Sequence, residues 1–97
     1  MGRILQLTPG YALSFSRLKP PLKQAERSAL RAELGRLEAD PFLPQSEDFE
    51  ALLSPPAVGV AWARRVRGYE MWVLYRVEHG GLASLHELTD RTPTRVG

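Results

Sequence analysis

Val60-Ala61-Trp62-Ala63-Arg64-Arg65-Val66-Arg67, then Gly68-Tyr69-Glu70, then Met71-Trp72-Val73-Leu74-Tyr75-Arg76-Val77 is the stretch that decides the fold. Val60, Trp62 and Val66 recur with a period of two before Gly68, and Tyr69, Met71, Val73, Tyr75 and Val77 do so after it. That is the repeat of a strand with one buried face, and two such runs joined at a glycine predict a β-hairpin. His79-Gly80-Gly81 supplies a second turn, and Leu82 to Leu88 a third strand.

Burying the Val60, Trp62, Val66, Met71, Val73, Tyr75, Val77 face is the only choice that hides a continuous apolar set. The other face then carries Ala63, Arg65 and Arg67 from one strand and Trp72, Leu74 and Arg76 from the next. Burying Leu82 and Leu88 in the third strand puts Leu85 and Glu87 on that open side, with Arg91 just past its end. Arg64 and His86 have the parity of the buried side and are expected at its margin, while His79 is expected exposed in its turn. Guanidinium groups beside an exposed indole suit single-stranded RNA: the former neutralise phosphates, and the ring stacks a base for ~1–3 kcal/mol. Solvated strand arginines, or a protein interface built around Trp72, satisfy the same pattern.

Upstream, Ile4 to Leu7 reads as a strand; Thr8-Pro9-Gly10 ends this apolar run too early for a signal peptide. Thr8 can cap a helix whose first turn suits Pro9, with Tyr11, Ala12, Phe15 and Leu18 as its apolar stripe. Pro20-Pro21 breaks it. Leu22 to Ala39 is the clearest helix, burying Leu22, Ala25, Ala29, Leu30, Leu34 and Leu37, while Lys23, Arg27, Arg31, Glu33 and Glu38 lie mostly elsewhere. Asp40-Pro41 stops it. Residues 42–59, preceded by Pro41 and containing Pro44, Pro55 and Pro56, read as a connector with at most a helical turn, its Glu47, Asp48 and Glu50 forming a solvated acidic run. Thr89 to Gly97 reads as a trailing segment. The expected class is α+β: an N-terminal strand and an antiparallel two-helix hairpin packed on a twisted antiparallel sheet, one domain spanning residues 1–97.

A chain of 97 residues can form one two-layer core. With 43% hydrophobic and 25% charged residues it has a globular composition, and no apolar run approaches the ~20 residues of a membrane span. The absence of cysteine excludes disulfides and thiolate chemistry and makes a cytoplasmic location the default expectation. Two histidines without ligand spacing lead us to expect no metal and no cofactor. The net charge is only +2, so placement rather than total charge must carry any nucleic-acid argument.

The order strand, helical pair, Asp-Pro stop, loop and antiparallel strands resembles the RelE/ParE toxin superfamily. Leu37-Glu38-Ala39-Asp40-Pro41-Phe42 is similar to the end of its second helix. Trp62 to Tyr69 and Trp72 to Val77 are similar to its central hairpin, and Leu85-His86-Glu87-Leu88-Thr89-Asp90-Arg91 to its final strand with an arginine at the exit. The resemblance implies a toxin of a type II toxin–antitoxin system, bound by a cognate antitoxin. RelE-like members are metal-independent endoribonucleases that cleave mRNA on the ribosome, basic side chains helping the 2′-hydroxyl attack the adjacent phosphate. Carried over by position, Arg65 and Arg91 are the catalytic candidates, with Arg67, Trp72 and Arg76 as RNA contacts. Trp72 stands where RNA-cleaving members usually have arginine, Ala63 where lysine is frequent, and no tyrosine follows Arg91. These departures keep a ParE-like alternative open: a non-enzymatic module of the same fold that poisons DNA gyrase.

Overall fold

The computed structural model describes residues 4–18, 21–40, 42–53 and 59–96. Pro20 and Pro41, read as helix breakers, lie outside the described residues. Strand β1 (Ile4–Leu7) leads into helix α1 (Pro9–Ser16) and helix α2 (Gln24–Ala39), followed by β2 (Phe49–Leu52), β3 (Val60–Arg65), β4 (Trp72–Val77) and β5 (Leu82–Thr89). Among the described residues the chain is an α+β protein with two α-helices and a five-stranded mixed sheet, ordered β1-β5-β4-β3-β2.

Local chemistry accounts for the element starts. Thr8 Oγ1 accepts from the Tyr11 N–H and caps α1, and Pro9 occupies its first turn. The Lys23 N–H donates to Glu26 Oε1 at 2.8 Å, so α2 begins two residues later than the apolar pattern alone suggests. Gly80, at φ 74, takes the left-handed conformation that closes the β4–β5 turn.

The hairpin lies where the alternation puts it: β3 pairs antiparallel with β4 from Trp62↔Tyr75 to Arg65↔Trp72. Tyr11, Leu18, Leu30 and Leu37 of the helical segments pack with Val66, Met71, Val73, Tyr75, Leu85 and Leu88. Four expectations are corrected. The sheet is not wholly antiparallel, because β1 lies parallel to β5, Ile4↔Leu82 to Leu7↔Leu85, anchored by Thr8 N–H donating to the Leu85 carbonyl. Residues 49–52, read as connector, form β2, antiparallel to β3. Leu85 is buried on the helix side rather than open, because a β-bulge between Leu74/Tyr75 and β5 inserts His86 and reverses the parity. Glu33 belongs to the buried stripe of α2, not to its solvated face.

The second face of the sheet is not open either. Ala51, Leu53, Ala61, Ala63, Trp72 and Leu74 form a second buried cluster, with Phe49 against it. The C-terminal segment provides the reason. It does not trail: the Leu52 N–H donates to the Thr94 carbonyl and the Val96 N–H to the Glu50 carbonyl, both at 2.9 Å. Ala51 and Arg95 form an antiparallel bridge, and the Arg95 guanidinium lies 4.2 Å from the Phe49 ring centre. Arg91, Thr92, Pro93 and Thr94 border one cleft with Leu52, Leu53 and Glu87, the last paired with Leu74 of the second cluster. Residues 90–94 therefore strap across the second face.

Candidate functional site

The β3–β4 register sets the basic end of the sheet. Arg65 pairs with Trp72, and Trp72 with Thr89 on β5, so Arg65, Trp72 and the approach to Arg91 share one transverse row. Arg65 is exposed; its Nε donates to the Tyr69 carbonyl at 2.8 Å, and its guanidinium carbon lies 6.0 Å from the Trp72 ring centre. Arg67, just beyond β3, has 60% of its side chain exposed. Arg91 is exposed two residues after β5, where its N–H donates to Thr89 Oγ1.

Two predicted contacts are placed differently. Trp72 is only 7% exposed, lying in the second cluster beneath Arg65, so its face is not an open stacking platform. Arg76 is four residues along β4 from Trp72, about 13 Å at the usual rise, and its Nε donates to the Val60 carbonyl at 2.8 Å. The fold thus gathers Arg65, Arg67 and Arg91 at one end and leaves Arg76 at the other.

Under the basic end lies a buried ionic cluster that the sequence reading missed. Glu33 is 1% exposed and Arg64 2%. Arg64 Nε donates to Glu33 Oε2 at 2.7 Å, and its Nη2 donates to Gln45 Oε1 at 3.2 Å. Arg36 Nη2 donates to Glu33 Oε1 at 2.7 Å, and the Arg67 backbone N–H reaches the same oxygen at 3.3 Å. Burial alone raises the carboxyl pKa of Glu33, but the hydrogen bonds from Arg36, Arg64 and the Arg67 N–H outweigh it and hold the group below its ordinary value. Asp48, read as solvated, is buried and accepts from the Tyr75 hydroxyl at 2.5 Å and the Gln45 N–H at 3.1 Å. Desolvation nevertheless raises its pKa, and burial together with Asp48 raises that of the Tyr75 phenol. A signal was present in the sequence: a carboxylate at Glu33 between Leu30 and Leu37 on the helix stripe, and an arginine at the buried parity of β3. Opposite charges at two buried positions call for pairing.

His86, the extra residue of the bulge, is half-buried, and its Nε2 lies 2.8 Å from Ser84 Oγ, itself 3.1 Å from Glu78 Oε1. Its expected place beside the core edge agrees with this. No three His, Cys, Asp or Glu side chains gather as a metal site among the described residues. No helix among them is long and apolar enough to cross a membrane. No family model, curated protein or solved structure matches the chain.

Chemically, the basic end is an anion-binding surface. Guanidinium groups on a strand, a turn and a post-strand segment can neutralise successive phosphates of one strand of nucleic acid. Guanidinium is suited to holding phosphate and to stabilising negative charge rather than to moving protons. Glu33 compensates the buried Arg64 and fixes the Arg67 backbone, which sets where the exposed Arg67 side chain starts.

Proposed function

We propose that this chain is a RelE/ParE-type toxin module whose target is mRNA on the ribosome. The observation that carries the reading is the convergence of Arg65 and Arg67, at the β3–β4 hairpin, with Arg91, from the segment after β5, on one end of the sheet. The element order supports it too: a first strand, two helices, then antiparallel strands, as the resemblance implies. In this reading the helical pair forms the antiparallel hairpin of the superfamily. Arg65 and Arg91 grip the phosphate at the cleavage point and stabilise the charge that develops as the 2′-hydroxyl attacks, while Arg67 holds a neighbouring phosphate. An acidic antitoxin would neutralise the same arginines, and the module would work in the cytoplasm.

One observation favours the ParE-like alternative, a non-enzymatic poison of DNA gyrase. Trp72, at the position where RNA-cleaving members usually carry arginine, is committed to the second cluster and to Arg65. Primer extension on an mRNA under translation in a cell-free system separates the two, with ribosome-free mRNA as control. Breaks that need ribosomes and vanish in Arg65→Ala and Arg91→Ala support cleavage. Intact mRNA with folded protein removes that reading, and a gyrase supercoiling assay then tests the other.

A further inference from the structure

On the side of the sheet where β1 stops, β5 continues without a strand neighbour: β1 ends at Leu7↔Leu85, whereas β5 runs to Thr89. Helix α1 fills part of this gap. Ser14 Oγ accepts the Leu88 N–H at 2.8 Å, and Gly10 lets the helix approach so closely that a Cβ there would lie 3.2 Å from the His86 carbonyl oxygen. Between α1 and this free edge remains a cleft of about 690 Å³, within the size range of small-ligand sites.

Its lining has three chemistries. Arg17, just past α1, and Arg91, just past β5, are exposed guanidinium groups on different segments, and neither forms an ion pair among the described residues. Leu13 and Leu18 give an apolar wall. His86 and Asp90 give polar edges: His86 Nε2 is held by Ser84, and Nδ1 has no partner among the described residues. Burial, then the nearby Arg76 charge, lowers the imidazole pKa despite Glu78, so the ring enters the cleft neutral at pH 7. Two cations balanced by the carboxylates of Asp90 and Glu87, both in the lining, suit a ligand with one anionic group and a flat ring bearing hydrogen-bonding edges, rather than a run of phosphates.

We propose that this cleft binds one nucleotide of single-stranded RNA, its phosphate between Arg17 and Arg91 and its base against Leu13 and Leu18, with His86 Nδ1 and Asp90 meeting the base edge. The proposal rests on the RNA-directed reading and extends it: Arg91 joins the basic end of the sheet to a site that reads a base, in place of the covered Trp72.

The test is an amide NMR titration of the full chain with adenosine 3′-monophosphate, with adenosine, and with a single-stranded adenylate hexamer. The expected result is saturable shifts at Arg17, His86, Thr89 and Arg91 with the nucleotide and the hexamer, weaker by about tenfold or more in Arg17→Gln at an unchanged melting temperature. Adenosine should bind far more weakly. Hexamer shifts confined to residues 65–68 would overturn the cleft while leaving the RNA reading in place. Equal binding of adenosine and its phosphate would overturn the role of the two arginines, and no binding of the hexamer would overturn both proposals.

Discussion

Replacing Glu33 with alanine removes the one carboxylate, among the described residues, that is bonded to the guanidinium of Arg64, itself 2% exposed. Two of the three arginine side chains around Glu33 tolerate this: those of Arg36 and Arg67 are 38% and 60% exposed and can turn to water. Arg64 cannot. Its Nη1 is already buried without a partner among the described residues, and losing Glu33 leaves it the single side-chain bond to Gln45 Oε1 there. Stranding a buried charge in this way costs about 3–5 kcal/mol. For a domain of this size each kcal/mol shifts the melting temperature by about 4–8 °C, so Glu33→Ala should melt roughly 12–40 °C lower. The double variant Glu33→Leu/Arg64→Met removes both charges and should recover most of that loss, since apolar replacement of a buried pair is often neutral or stabilising. Urea unfolding of Glu33→Leu, Arg64→Met and the double variant measures the coupling. A loss below about 1 kcal/mol in Glu33→Ala, the value of a surface pair, would refute the reasoning; so would a double variant no better than the singles. The pH dependence has a definite sign: with the folded pKa below the unfolded value of 4.5, this stabilisation is complete above that value and disappears as pH falls through the folded pKa.

Asp48 has the opposite sign: its folded pKa lies above the unfolded 3.8, so stability is lost as pH rises from there through the folded value. Asp48→Asn keeps an acceptor for Tyr75, should flatten that slope and should leave the protein at least as stable at pH 7; an unchanged slope in pH-dependent melts would remove the assignment. If Arg65, Arg67 and Arg91 each neutralise one phosphate, the log–log salt slope for single-stranded RNA binding should be about −2, and Arg67→Ala should reduce it by roughly 0.7. Fluorescence anisotropy at several salt concentrations reads the slope, and a salt-independent affinity would rule out the basic end as the binding surface.

The elements with a clean repeat were legible in the sequence: β1, α1, α2 and the β3–β4 hairpin follow from apolar spacing, caps and breakers, although Ala12 and Phe15 of the stripe expected on α1 are exposed and Tyr11 is its buried residue. What failed did so for identifiable physical reasons. Phe49-Glu50-Ala51-Leu52 is too short to display alternation, and its strand character comes from pairing with β3. The bulge at His86 shifts parity midway through β5, and no repeat announces one inserted residue. Trp72 and Leu74 looked exposed because the segment that covers their face has no apolar pattern of its own; it is held by backbone bonds to Glu50 and Leu52. The candidate arginines were visible as residue types, but which of them share an end depended on register. Glu33 and Arg64 each violated the pattern of its own element, and each violation was visible only as half of a pair.

The parallel pairing of β1 with β5 has a consequence for the order of assembly. Among the described residues β1 pairs with a strand made about eighty residues after it, with Ile4 facing Leu82. Until β5 emerges, β1 has an unpaired edge and α1 lacks the strand that Ser14 caps. Early compact forms must therefore be built on α2 and the β3–β4 hairpin, whose contacts are more local. Closure of the sheet, and with it the positioning of Arg91 relative to Arg65, waits for β5, so a nascent chain carries the basic strand before it carries the basic surface.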